Sequence, residues 1–287
     1  MASLKDLRRR IRATKSMQQI FKAMEMVAAA KLRRAQQRAQ AASPYAAKIS
    51  AMLANLSGAA AELEHPLFKV REVKTTALVL ITADRGFAGA YNTAILRVAE
   101  QRLKVASPGS IQCVVVGRKG RDYLRRRGYP VLAAHTDLPG EASLELARRI
   151  TNDLTERFIA GEVDRVEILY THFVNAIVRR VLTATFLPIG TGIGSGDATS
   201  AAGSAIFEPD AESIFAELLP RYATAMLYAS MADALASEHS ARMVAMGSAR
   251  KNAGELVDAL TLTRNRMRQA AITREISELV GGAEALN

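Results

Sequence analysis

From Asp210 to Asn287, stripe residues return at intervals of three and four: Ile214, Leu218 and Tyr222; Leu235, His239, Arg242 and Met246 with Met243 beside them; Leu256 and Leu260; then Ile272, Ile276, Leu279, Ala283 and Leu286. That period is the mark of a helix with one apolar stripe. Seventy-odd helical residues run roughly 110 Å, whereas a chain of 287 residues folded into one ball has a radius of gyration of only about 19 Å. A helix of that length has to project from any compact body as a rod. Whatever else the chain does, it must be organised around this element.

Residues 1–57 are its counterpart. They contain no Gly and a single Pro, Pro44, which points to helix by elimination, with a bend expected at the proline. The stripe Leu4, Leu7, Ile11, then Met17, Ile20, Met24, Val27, then Ala28, Leu32, Ala35 shifts register between blocks, as a locally unwound coiled coil does. Charge is concentrated here. Residues 1–60 hold twelve Lys/Arg against Asp6 and Glu25, while 210–287 hold eight basic and ten acidic residues. Such a segment faces an acidic partner, nucleic acid or an acidic protein surface.

Between the helices lies an alternation of short β-branched runs and helical stretches. Strands are expected at Thr75–Thr82, Ile111–Val116, Val131–Ala133, Val166–His172 and Ile177–Phe186, with helices to Val105, from Gly117 to Gly128, and over Ser143–Ala160. The reading is a small, mostly parallel α/β domain over 74–190, flanked by connectors at 58–73 and 191–208. The second is a Gly/Ser/Thr/Ala loop from Gly190 to Gly203. Glu208-Pro209-Asp210 then caps the final helix, 209–287, which Pro220 should interrupt or kink.

Catalytic chemistry is hard to find. Gly86-x-x-Gly89 and Gly117-Arg-Lys-Gly120 fall short of a dinucleotide fingerprint, and there is no P-loop motif. Asp84-Arg85 reads as a local ion pair. His65, His135, His172 and His239 lack metal spacing, and Cys113, the one cysteine, sits in an apolar strand as a core thiol. No cofactor, metal site or small-molecule ligand is expected, and no run is long and apolar enough to span a membrane. Architecture is therefore the informative signal. If the terminal helices pair antiparallel, position i faces roughly 266 minus i. Leu4 then lies near Leu262 and Met24 near Arg242 and Met243. Beyond about Thr263 the helix has no partner in its own chain, and its apolar face needs cover from another protein.

At this point particular motifs become recognisable. Arg268-Gln-Ala-Ala-Ile-Thr-Arg-Glu-Ile-Ser-Glu-Leu-Val-Gly-Gly-Ala283 resembles the carboxyl-terminal signature of the gamma subunits of F-type ATP synthases. Met17-Gln-Gln-Ile and Lys22-Ala-Met-Glu-Met-Val-Ala-Ala-Ala-Lys-Leu-Arg-Arg-Ala-Gln36 resemble that family's first helix. Thr82-Ala-Asp-Arg-Gly-Phe-Ala-Gly-Ala-Tyr-Asn92 and Ser237-Glu-His-Ser-Ala-Arg-Met-Val-Ala-Met246 are similar to its turn and later helix. The resemblance spans the chain. It implies an antiparallel coiled coil of the terminal helices with an inserted Rossmann-like α/β domain. It also implies a non-catalytic rotating central stalk that couples proton flow through a membrane ring to ATP synthesis or hydrolysis at an alpha/beta hexamer.

Carried over residue by residue, contacts to the hexamer fall on Arg8, Arg9, Lys15, Met24, Arg33, Arg34, Arg242, Arg268, Gln269, Thr273, Glu275, Ile276 and Leu279. Contacts to the epsilon subunit and the c-ring fall on Phe207 and Glu208. The resemblance also implies a peripheral location on the cytoplasmic face of a bacterial plasma membrane. The chain departs from the family pattern at Phe87-Ala88, at Gly247 where a Lys is usual, at Arg250-Lys251, at Arg274 and at Ala205-Ile-Phe207. A basic coiled-coil nucleic-acid adaptor is the alternative, though residues 1–60 offer only Phe21 and Tyr45 as stacking aromatics.

Overall fold

The computed structural model describes residues 3–55, 65–190 and 211–284. The expected cap Glu208-Pro209-Asp210, the loop after Gly190, and the residues Phe207, Glu208 and Leu286 lie outside the described residues. Two compact units emerge: Ala29–Arg242, and Met1–Ala28 with Met243–Asn287.

The larger unit is built on a five-stranded sheet in the order β3-β2-β1-β4-β5. Its strands are β1 (Thr76–Ile81), β2 (Ile111–Val116), β3 (Val131–His135), β4 (Arg165–Phe173) and β5 (Arg179–Leu187). The first four pair in parallel, and β5 closes the edge antiparallel to β4. Every residue of β1 is buried, as a central parallel strand covered on both faces must be. Alternate side chains go to opposite sides. Ala77, Val79, Ile81, Val114 and Ile168 face one layer, packed on Leu146, Ile150, Leu154 and Phe158 and on Leu219, Leu227 and Met231. Leu78, Leu80, Cys113, Val115 and Leu169 face the other, with Ile95, Leu96, Ala99 and Leu124. Burial pushes the Cys113 thiol up to about 12, so it is the inert core thiol expected.

The helices supplying these layers are α2 (Tyr91–Val105), α3 (Arg118–Arg126), α4 (Leu144–Ala160) and the first part of α5 (Ala211–Glu284). Helix α4 has local stop and start signals: Ser143 Oγ accepts from the Leu146 amide, and Gly161 ends the helix in the left-handed region at φ 77°;. The interruption expected at Pro220 does not occur. Helix α5 runs through that residue, and the Thr224 hydroxyl donates to the Pro220 carbonyl at 2.8 Å. Helix α1 (Leu4–Asn55) is continuous through Pro44.

In the smaller unit, α1 opens with a reciprocal cap. The Asp6 amide donates to Ser3 Oγ at 3.1 Å while the Asp6 carboxylate accepts from the Ser3 hydroxyl at 2.9 Å;. Those Ser3 bonds, and then Arg9 and Arg10, hold the Asp6 carboxyl below its ordinary range. The face of α1 turned inward runs Leu7, Ile11, Thr14, Gln18, Phe21, Glu25, Ala28, all buried or half-buried. The spacing alternates four and three without a break. The matching face of α5 runs Met243, Met246, Arg250, Ala253, Val257, Leu260, Arg264, Met267. This is an unshifted heptad seam. The expected shift of register arose from reading Met17, Ile20 and Val27 as seam residues, and all three are exposed.

Polar seam residues meet small partners. A Cβ built on Gly254 would come 2.8 Å from Gln18 Nε2, and one on Gly247 would come 3.2 Å from Glu25 Oε1. Arg250 Nε donates to Glu25 at 2.9 Å. The two helices are therefore antiparallel, as expected, but position i faces about 272 minus i. That corrects the expected register by about six residues, because chain ends and loops do not fix pairing whereas the seam does. Met24 is thus not opposite Met243, and it is half-buried beside the Glu25 contact.

Candidate interaction surface and a closed crevice

In a doubly wound sheet the crevice for a nucleotide lies beyond the carboxyl ends of the strands, where the strand order switches. Here that is between β1 and β4, and α5 fills it. The Tyr91 hydroxyl donates to the Ala234 carbonyl at 3.1 Å, Ser237 Oγ donates to the Thr171 carbonyl at 2.9 Å, and Asp233 accepts from the Phe173 amide at 2.8 Å. The turn after β2 is equally occupied. The first three amides of α3 donate to the segment that follows β1: Arg118 to Asp84 Oδ1 at 2.7 Å, Lys119 to the Ala83 carbonyl at 3.1 Å, and Gly120 to Thr82 Oγ1 at 2.9 Å. These are the donors a phosphate would need.

The two glycines that drew attention in the sequence serve this packing. A Cβ on Gly117 would lie 2.2 Å from the Thr82 carbonyl oxygen, and one on Gly120 would lie 2.8 Å from Thr82 Oγ1. Asp84 does not pair with Arg85 as expected; its second oxygen accepts from the Leu138 amide at 2.6 Å.

A cavity of about 120 Å³ remains beside α5, lined by residues that include Lys31, Thr82, Tyr91, Glu238, His239 and Arg242. Arg242 is turned into its own chain. It pairs with Glu238 at 2.5 Å, donates to the Gly86 carbonyl at 3.2 Å, and reaches His239 Nδ1 at 3.2 Å. A guanidinium only donates, so Nδ1 accepts and the proton of neutral His239 sits on the buried Nε2;. Burial, then Arg242 and Lys31, push His239 down to about 4. Burial also raises Glu238, opposed by Arg242. Among the described residues no cluster of His, Cys, Asp or Glu could hold a metal ion.

The surface open to a partner is on the smaller unit. Met17, Ile20 and Val27 of α1 and Leu256, Leu262, Ile272, Ile276 and Leu279 of α5 are exposed, Leu279 by 74%. Arg8, Lys15, Arg268, Gln269, Thr273 and Glu275 are exposed there too, as is Arg9, which pairs weakly with Asp6 at 3.4 Å. Arg8, Arg10, Arg12, Lys15 and Lys22 make no ion pair among the described residues. Arg33 and Arg34 are exposed on the larger unit. An apolar surface of this kind, fringed by uncommitted cations, is unusual for a chain that works alone. Sequence reasoning found these residues but assigned half of them to the seam; the polar residues between them, Gln18 and Glu25, were the missed signal.

A family model described as ATP synthase matches residues 3–286. The ATP synthase gamma chain of Desulforamulus reducens is 47% identical over 286 residues, covering 100% of both chains. The chain belongs to the ATP synthase gamma-chain family. The gamma chain of Moorella thermoacetica is 45% identical over 287 residues, again across 100% of each. Among solved structures, the central stalk and c-ring of the Tetrahymena thermophila mitochondrial ATP synthase matches at 25% identity with a TM-score of 0.60, over 80% of this chain and 99% of that one. A rotor chain of the Euglena gracilis mitochondrial ATP synthase matches in fold, with a TM-score of 0.67 at 20% identity over 94% of this chain and 98% of that one. Membership makes this gamma chain a component of a rotary complex, the central-stalk subunit of an F-type ATP synthase. The nucleic-acid alternative finds no support among these matches.

Proposed function

We propose that the paired helices turn inside a hexamer of alternating alpha and beta subunits, and that the chain carries no catalytic site of its own. The observation that carries this is the exposed apolar surface of Ile272, Ile276 and Leu279, beside Arg268, Gln269, Thr273 and Glu275, on a chain matched by ATP synthase gamma chains from end to end. An asymmetric rod in a three-fold collar gives each catalytic site a different contact and biases each toward a different conformation. Turning the rod by a third of a circle permutes the three biases. The apolar side chains act as a bearing with low friction, and the polar ones as catches that depend on angle. Arg8, Arg9, Lys15, Met24, Arg33 and Arg34 meet acidic lever segments of the beta subunits. Arg242 meets them only if its internal bonds open.

The α/β domain, 74–190, sits on the epsilon subunit and the membrane c-ring, with Phe207 and Glu208 at that contact; residues 1–57 and 209–287 are the helical arms. The complex lies on the cytoplasmic face of a bacterial plasma membrane. No helix among the described residues is long and apolar enough to cross a membrane, which supports a peripheral attachment. Affinity purification of the tagged chain from membranes of its host tests this reading. Alpha, beta, epsilon and ring subunits should come with it, and recovery without alpha and beta would contradict it.

A further inference from the structure

Helix α5 is held against the sheet in two ways. Leu219, Ala223, Leu227, Met231 and Ala234 pack into the main core, a contact without directional preference. Over Asp233–Arg242 the contact changes character and becomes polar. Asp233 accepts from the Phe173 amide at 2.8 Å and meets His172 Nδ1 at 2.5 Å. Ser237 Oγ donates to the Thr171 carbonyl at 2.9 Å, and Ser240 Oγ to the Ala176 carbonyl at 2.7 Å. Arg179 donates to Ser240 Oγ at 3.2 Å. Across the helix, the Tyr91 hydroxyl donates to the Ala234 carbonyl at 3.1 Å and Arg242 donates to the Gly86 carbonyl at 3.2 Å.

At about 100° per residue, Asp233, Ser237 and Ser240 fall within about 60° of one another around the helix, while Ala234 lies about 90° and Arg242 about 170° from the middle of that row. One row is tied to the end of β4 and the β4–β5 turn, and the other to the turn between β1 and α2. A helix tethered along one line can roll about it; tethered along two, it can neither roll nor slide. Both serines are 0% exposed. Burying hydroxyls is unfavourable unless they are bonded, and alanine would serve apolar packing as well.

We propose that these two rows form the joint that carries torque between the sheet and α5, with Tyr91, Asp233, Ser237 and Ser240 as its positioning residues. This rests on the reading of the chain as a rotating stalk. A joint of this kind is idle while the complex turns freely and matters only under load. Removing its ties therefore separates two quantities that a general loss of folding would lower together: ATP hydrolysis, and ions pumped per ATP.

The test uses the whole complex in inverted membrane vesicles. The combined variant Asp233→Ala, Ser237→Ala, Ser240→Ala, Tyr91→Phe, which empties the first row, is expected to keep ATP hydrolysis within twofold and to lose at least threefold in ATP-driven ion pumping per ATP. A second variant pairs Ser240→Cys with Ala176→Cys, where the hydroxyl already reaches the carbonyl, in an Asp233→Ala, Ser237→Ala, Tyr91→Phe background. It can assemble oxidised even if the first variant does not. Pumping per ATP should be normal with the disulfide closed and fall at least threefold on reduction. Cys113 is buried and does not compete. An unchanged ratio on reduction, or pumping and hydrolysis falling in the same proportion in both variants, overturns the joint. Failure of the stalk reading shows separately, since vesicles given the unaltered chain would then not pump.

Discussion

Glycines at two positions make opposite demands, and the structure decides the sign of each substitution. Gly117 has φ 102°, and a Cβ there meets a backbone oxygen that cannot move; Gly117→Ala should cost more than about 3 kcal/mol. Gly254 is helical, and its would-be neighbour is the mobile end of Gln18. Alanine there recovers helix propensity of about 1 kcal/mol, so Gly254→Ala should be neutral to stabilising. Urea unfolding midpoints of the two variants check both signs.

His239 makes a second prediction at this scale. Its pKa falls from 6.5 to about 4 on folding, so the unfolded chain takes up a proton that the folded chain refuses. Stability is therefore present above pH 6.5 and lost as pH falls from there toward 4, by at most about 3 kcal/mol. His135, also lowered by burial, shares the window. His239→Gln should flatten the pH dependence of the unfolding midpoint between pH 6.5 and 5, and an unaltered slope would contradict the assignment. Little of this was legible in the sequence. Gly117 and Gly120 stood out, but their purpose depends on Thr82, which reaches them only through strand pairing. Gly247 and Arg250, two separate departures from the family pattern, meet on one carboxylate, Glu25, only once the helices pair.

At the scale of elements, periodicity found what local chemistry dictates and lost what the partner helix dictates. The strand expected at Thr75–Thr82 occupies Thr76–Ile81, and the one at Ile111–Val116 is unchanged, because short β-branched runs bounded by turns carry their own signal. The seam of α1 was misread because its most apolar stripe, Met17, Ile20 and Val27, faces outward, while Thr14, Gln18 and Glu25 face in. Binary pattern cannot separate a helix's own partner from a later one. The pairing register yields a direct check. Cysteines replacing Glu25 and Gly247, which the register places opposite one another, should form a disulfide more readily than cysteines replacing Met24 and Met243. The outward stripe yields another. Ile276→Glu with Leu279→Glu should shift the stability of the isolated chain by less than about 0.5 kcal/mol while reducing the yield of assembled complex. A large loss of stability in the isolated chain would mean that the stripe is internal.

For the molecule as a whole, the division of charge was the earliest functional clue. Ten of the eleven net positive charges lie in residues 1–60, and most of the described cations there remain uncommitted. The smaller unit offers other chains an apolar surface with a cationic fringe, while the crevice where an α/β sheet would bind a nucleotide is taken by the chain's own helix. The central claim that follows is that this subunit moves relative to a hexamer that does the chemistry. The most direct measurement fixes the hexamer to a surface and attaches a bead to the chain through Gly109→Cys, an exposed turn with open space around its Cα. On addition of ATP the bead should turn continuously in one direction, pausing at each third of a circle. A bead that stays still, or jitters without direction, while the same complexes hydrolyse ATP would contradict the account.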